Sequence, residues 1–175
     1  MQVIRYDVKE MKPNKIIITG DAGRGKSSLA SKISEKLKIP NYSTDDYFYE
    51  IKFSKPRDRK ESLEKISEIY KNDSWIVEGT TAWLLNPGME LADTIIYLRY
   101  NNIFSQWFIL LKRGLSRKDE KIKRTLALMK HVFYKRYSLG YKKGKMTHIE
   151  FIEPYKDKLT ILSSFKEIDE FLKNL

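Results

Sequence analysis

The sequence predicts an α/β fold built on a mostly parallel sheet of five strands with helices packed against it. Three observations carry that reading. Apolar runs of strand length alternate with longer stretches of helical spacing, the order expected of strand–helix–strand units. The first run, Ile16-Ile17-Ile18, is apolar without alternation, as a strand buried on both faces requires. It leads straight into Gly20-Asp21-Ala22-Gly23-Arg24-Gly25-Lys26-Ser27, a glycine-rich turn that opens a helix.

Taken in order, residues 2–8 alternate weakly and suggest a short edge strand, with Pro13-Asn14 as the break before Lys15 to Thr19, the first core strand. The next helix sets Leu29, Ile33 and Leu37 on one side, and Pro40 bars its continuation. Asn41 to Tyr49 reads as a short strand running into two carboxylates, Asp45 and Asp46, and the aromatic cluster Tyr47-Phe48-Tyr49. A polar, proline-broken segment over 55–60 precedes a helix from about Glu61 to Lys71, with Leu63, Ile66 and Ile69 or Tyr70 turned inward. Trp75-Ile76-Val77 is the third strand and ends on Glu78-Gly79. Asn86-Pro87-Gly88 marks a turn, and Thr94 to Leu98 is the fourth strand.

From Ile103 to about Tyr141 the pattern is helical, interrupted near Gly114-Leu115-Ser116 and ended by Gly140 and Gly144. Its first part is apolar through Phe104, Trp107, Phe108 and Leu111, with Trp107 and Phe108 assigned to packing. Its second part sets Ile122, Leu126, Met129 and Phe133 along one stripe. Leu159 to Leu162 is the fifth strand. Ser164 and Glu167 have capping-box spacing before a last helix bearing Ile168, Phe171 and Leu172.

The glycine-rich turn spells G-x-x-x-x-G-K-S, the P-loop. Its glycines let the backbone form a concavity lined with N–H groups, and the helix behind it turns its positive end to the same anion. Asp21, Ala22, Gly23, Arg24, Gly25, Lys26, Ser27 and Ser28 are therefore expected to hold the phosphates of ATP. Lys26 is expected to reach the outer phosphates and the Ser27 hydroxyl to sit on Mg²⁺. Strands in such sheets deliver ligand-binding groups at their carboxyl ends. Asp45 and Asp46 follow the second strand and Glu78 ends the third, where it suits a water on Mg²⁺.

With 175 residues the chain suits one domain spanning 1–175. It has no cysteine, which excludes disulfides, thiolate metal sites and a cysteine nucleophile and fits an intracellular, cytoplasmic protein. Two separated histidines, His131 and His148, read as surface or helix-face residues. No signal peptide is expected, nor a membrane span, since the most apolar run, Ile103 to Leu111, is too short to cross a bilayer. Charge is unevenly placed: Lys112 to Lys145 holds 13 Lys or Arg against two acids, a balance of +11 that equals the net charge of the whole chain.

On these residues the chain resembles a P-loop kinase of the adenylate-kinase-like group, and in particular the DNA topology modulation proteins. The likeness runs through the P-loop, Ile39-Pro40, Thr44-Asp45, Tyr47-Phe48-Tyr49, Trp75-Ile76-Val77-Glu78-Gly79, Ala92 to Leu98, Leu111-Lys112-Arg113 and Leu162 to Leu172. The resemblance implies a three-layer P-loop NTPase fold with helices on both faces and strand order 2-3-1-4-5. It also implies a basic helical lid over about 101–145 and adenine near the loop after the fifth strand. Asp45 to Tyr49 is also similar to the acidic-aromatic motif of uridine-kinase-like proteins, which implies Asp45 as the base toward an acceptor hydroxyl, with Asp46 the alternate; the other reading is that one or both acids cap the helix or turn that follows. Tyr47, Phe48 and Tyr49 either stack on an acceptor base or belong to the core. Arg113 and Arg117 fall in the lid, where guanidinium groups close over transferring phosphate. One departure stands out: Glu78-Gly79 is followed by Thr80-Thr81-Ala82-Trp83, without the arginine that nucleotide monophosphate kinases place there for an acceptor phosphate.

The function expected is an ATP- and Mg²⁺-dependent kinase acting on a nucleoside, nucleotide or related hydroxyl compound. Two other readings remain open. One is a nucleotide-regulated protein that binds nucleic acid through 112–145, and the other is a plain NTP hydrolase.

Overall fold

Ile16, Ile17 and Ile18 are wholly buried at the centre of β1 (Lys15–Gly20), the middle strand of a five-stranded sheet. The structure, a computed structural model, describes residues 13–51, 54–116, 122–137 and 148–175. The other strands of the sheet are β2 (Asn41–Ser43), β5 (Trp75–Glu78), β6 (Thr94–Leu98) and β7 (Leu159–Leu162). They lie in the order β2-β5-β1-β6-β7, and every pairing is parallel. Counted along the sheet strands alone this is 2-3-1-4-5, the order expected. A small antiparallel hairpin, β3 (Tyr49–Ile51) with β4 (Lys55–Pro56), stands apart.

Successive side chains of a strand point to opposite faces, so the isoleucine run feeds two cores. Ile17 joins Val77 and Ile95 beneath α3 (Arg59–Tyr70), α4 (Ala82–Met89) and α7 (His148–Ile152), through Ile66, Leu84, Leu85 and Phe151. Ile16 and Ile18 join Ile76 and Ile96 beneath α1 (Lys26–Leu37) and α8 (Phe165–Asn174), through Leu29, Ile33, Ile168 and Phe171. A third cluster lies between α5 (Ile103–Ser116) and α6 (Ile122–Tyr137), where Ile103, Leu110 and Val132 are buried. Among the described residues no helix is long and apolar enough to cross a membrane.

Several local expectations change. Asn86-Pro87-Gly88 is not a turn but lies inside α4. Burial of Leu84, Leu85 and Met89 overrides the local preference, and Gly88 lies against the Tyr70 ring, whose hydroxyl donates to Leu84 O at 2.9 Å. The third helix begins at Arg59 rather than Glu61 because Asp58 caps it, accepting from Lys60 N at 2.9 Å and Glu61 N at 3.2 Å. Asp45 and Asp46 lie in the first turn of a short helix, α2 (Thr44–Phe48), whose cap is Ser43 rather than either acid. On α6 Met129 and Phe133 turn inward as expected, joined by Thr125, Leu128 and Val132, while Leu126 is exposed. Trp107 packs as expected, donating to Met129 O at 3.2 Å, but Phe108 is exposed. The edge strand over 2–8, Arg117 and the stops at Gly140 and Gly144 lie outside the described residues.

Candidate active site

The chain leaves β1 at Gly20 and is tied at once to its neighbour strand: Asp21 N donates to Leu98 O at 2.7 Å, and Asp21 Oδ2 accepts from Tyr100 N at 2.8 Å. Two side chains then grip the loop from outside. Gln106 Nε2 donates to Ala22 O at 3.2 Å, and Tyr100 Oη donates to Gly23 O at 2.9 Å. In a planar trans peptide a carbonyl and the following N–H point in opposite directions. Fixing these two carbonyls therefore turns the amides of Gly23 and Arg24 away from Gln106 and Tyr100. Burial raises the Tyr100 phenol above its ordinary pKa, with Arg24 pulling it down and Asp21 pushing it up, so it remains a donor.

Gly25 has φ 89° and ψ 27°, a left-handed conformation that suits glycine, and it starts α1 without any side-chain cap. The amides of Lys26, Ser27 and Ser28 thus open the helix toward the loop, the arrangement that favours an anion. Lys26 is almost buried, and its ammonium donates to Asp21 O at 2.9 Å and Gly20 O at 3.2 Å. Ser27 Oγ donates to Glu78 Oε1 at 3.0 Å. The parallel register sets Glu78 beside Ile18, two residues before the loop, and so brings the third strand's acid to the first turn of α1.

Serine hydroxyl and carboxylate are hard oxygen donors, and at this spacing they fit Mg²⁺ held jointly with phosphate oxygens and water. Among the described residues no group of three His, Cys, Asp or Glu stands ready to hold a metal by protein ligands alone.

Arg24 belongs to the loop by its backbone, but its side chain goes elsewhere. It is 4 % exposed, donates Nε to Arg99 O at 3.0 Å, and stacks 5.0 Å from the Tyr100 ring centroid and 4.6 Å from that of Phe165. Phe165 is the first residue of α8, just past the fifth sheet strand, and its ring is largely exposed. Neither Tyr100, Gln106 nor Phe165 was legible as a neighbour of the loop, because each meets Ala22, Gly23 or the Arg24 side chain from 75 or more residues away in sequence.

On the other side of the P-loop strand, Ser43 is in register with Glu78, and Thr44 lies against Gly79. Asp45 stands one residue beyond that contact, half-buried, and Asp46 is exposed. Tyr47 and Phe48 pack partly against the core; burial, then Tyr42 and Asp46, raise the Tyr47 phenol. Phe48 also lies 6.0 Å from the Trp83 ring, and the Arg59 guanidinium lies 5.1 Å over that indole. Arg57 holds this wall in place. It donates Nε to Tyr47 O and Nη2 to Tyr49 O, each at 3.2 Å, and pairs with Glu61 at 2.8 Å. Arg113 falls on α5 two turns after Gln106.

No protein-family model matches the chain. The uncharacterized protein YqaC of Bacillus subtilis (strain 168) is 32% identical to it over 91 residues. That match takes in 50% of this chain and 49% of YqaC, so the chain spans about half the length of the curated relative it matches. Among solved structures, shikimate kinase from Bacteroides thetaiotaomicron superposes with a TM-score of 0.57 at 17% identity, covering 92% of this chain and 95% of that one. A gluconokinase from Sinorhizobium meliloti 1021 gives 0.54 at 13% identity, covering 93% and 89%. Shikimate kinase from Acinetobacter baumannii in complex with shikimate gives 0.53 at 14%, covering 93% and 90%. At such identities the likeness establishes the fold that this chain shares with them.

Proposed function

We propose that this protein is an ATP- and Mg²⁺-dependent phosphotransferase whose acceptor is a small hydroxyl compound of nucleoside, nucleotide or related kind. The observation that carries the reading is the convergence of Lys26, Ser27 and Glu78 at the mouth of a P-loop, with Asp45 one strand away. The neighbours named as shikimate kinase and gluconokinase support a kinase with a small substrate. The finer likeness to DNA topology modulation proteins rests on the sequence motifs.

In this reading the amides from Gly23 to Ser28 hold the β- and γ-phosphates of ATP. Lys26 exchanges its two carbonyl partners for phosphate oxygens. Mg²⁺, when bound at Ser27 and Glu78, supplies charge neutralisation across those phosphates. Asp45 takes the proton of the acceptor hydroxyl as its oxygen attacks the γ-phosphorus, and the bond to the β–γ bridging oxygen breaks to leave ADP. Arg113 and Arg117 supply further positive charge to the phosphoryl group from the lid. The Phe48–Trp83 wall, with Arg59 over it, favours an acceptor with a planar face. The missing arginine after Gly79 favours one without a phosphate of its own.

Calorimetry of MgATP binding, followed by ³¹P NMR of reactions with a panel of nucleosides, nucleotides and polyols, tests this. The expected result is ATP binding and a new phosphate ester with at least one acceptor. ATP turnover that yields only inorganic phosphate, at a rate Asp45→Asn does not change, would make the protein a plain NTP hydrolase.

A further inference from the structure

Helix α5 is apolar on two sides. Its inner side, through Ile103, Gln106 and Leu110, is buried against the P-loop and α6. Its outer side carries Phe104, Phe108, Leu111 and Leu115 at i, i+4, i+7 and i+11, a single stripe with relative exposures of 73, 67, 40 and 66%. At 1.5 Å per residue the stripe is about 16 Å long. On α6, which meets α5 where Thr125 lies against Gly114, Leu126 is exposed as well. A surface helix ordinarily turns one apolar face inward and a polar face to water. A second apolar face of this size marks something the helix docks on.

Charge selects the occupant. The segment 112–145 begins on this helix and carries a balance of +11, with Lys112 and Lys130 exposed. A second copy of the chain would bring its own +11 against the first, which opposes self-association. Nucleic acid would answer the charge, but it is gripped through phosphates and stacked bases. That leaves aliphatic Leu111, Leu115 and Leu126 without a partner. An anionic bilayer surface answers both features, since apolar side chains enter the acyl boundary while lysine and arginine meet the headgroups.

We propose that the outer stripe of α5, with the exposed Lys112 on the same helix, seats this protein on anionic lipid. The helix lies in the interface rather than across it. Because Gln106 and Leu110 belong to the inner side, the stripe can be occupied with the P-loop contacts intact. The proposal is independent of the phosphotransfer reading.

Flotation of the intact protein with phosphatidylcholine vesicles, with and without phosphatidylserine, tests it. The protein is expected to float with the serine-lipid vesicles alone and to be released by high salt. The Phe108→Ser/Leu115→Ser double variant should lower that partition about ten-fold or more, with melting temperature and MgATP binding unchanged. Absence of binding to anionic vesicles overturns the proposal, and so does binding that the double variant retains in full. A lowered melting temperature in the variant would mean that the chain itself covers the stripe. A dimer in analytical ultracentrifugation, or binding of an oligonucleotide, that the variant abolishes would assign the stripe to that partner instead.

Discussion

Around the P-loop, Asp21, Ala22 and Gly23 are each tied by hydrogen bonds to the segment from Leu98 to Gln106, 77 to 84 residues away in sequence. Two strands over, Asp45 rides on a five-residue helix between a three-residue strand and a two-stranded hairpin, and Arg57 braces that unit through bonds spanning 8 and 10 residues. Under the proposed phosphotransfer, the donor half would thus be built from the centre of the sheet and the acceptor half from its edge. Phosphoryl transfer rewards this division. A triphosphate presents the same oxygens every time and gains from a rigid cradle, whereas a local, edge-mounted wall can be reshaped without disturbing the sheet.

If the halves are separable, damage to one should leave the other intact. Asp45→Asn is expected to lower kcat for transfer by about 10²–10⁴ while leaving MgATP affinity unchanged in calorimetry. A parallel loss of affinity would show that the two halves act as one. Lys26→Ala should instead weaken MgATP binding as well as lower kcat, the latter by about 10²–10³. Wild-type binding by that variant would remove the donor assignment altogether.

The seam between the halves gives a third test. Gly79 has φ 155°, and a side chain there would stand 1.7 Å from Thr44 Oγ1. Thr44 is fully buried and its hydroxyl has no hydrogen-bond partner among the described residues. Gly79→Ala should therefore destabilise the fold by about 2–3 kcal/mol in thermal unfolding. Adding Thr44→Ala should return part of that loss, because it removes the clashing atom. A single variant that melts like the wild type would mean that strand and helix are not wedged together there.

The same contrast explains what the sequence disclosed. The isoleucine run, the P-loop and the strand order followed from local patterns: unbroken burial, glycine spacing, and alternation of periods. Glu78 was legible because it ends a strand, and strand ends are where parallel sheets present ligand groups. Tyr100, Gln106 and Arg57 were not, because each acts by capturing a backbone carbonyl, a role that leaves no motif. Leu126 and Phe108 fitted a helical stripe in one dimension, yet the real inward face passes through Thr125, where Gly114 leaves room. Asn86-Pro87-Gly88 spells a turn, and only its burial under Tyr70 makes it helix.

The smallest expected effect tests the donor half's outer grip. Tyr100→Phe keeps the ring on Arg24 but removes the hydroxyl that holds Gly23 O, and the loss should weaken MgATP binding by about 1 kcal/mol, roughly five-fold. The phenol's pKa is raised in the folded protein, chiefly by burial, so its contribution is complete below the ordinary value of 10.0 and is lost as pH rises through the higher folded value. Wild type and variant should therefore differ by a constant factor from neutral pH to about pH 9 and converge only above about pH 10. A gap that closed already near pH 8 would mean that the hydroxyl is not the group fixing this carbonyl. A gap of zero at every pH would leave Gln106 as the outer grip on the loop, and Gln106→Leu would then be the variant that loosens it.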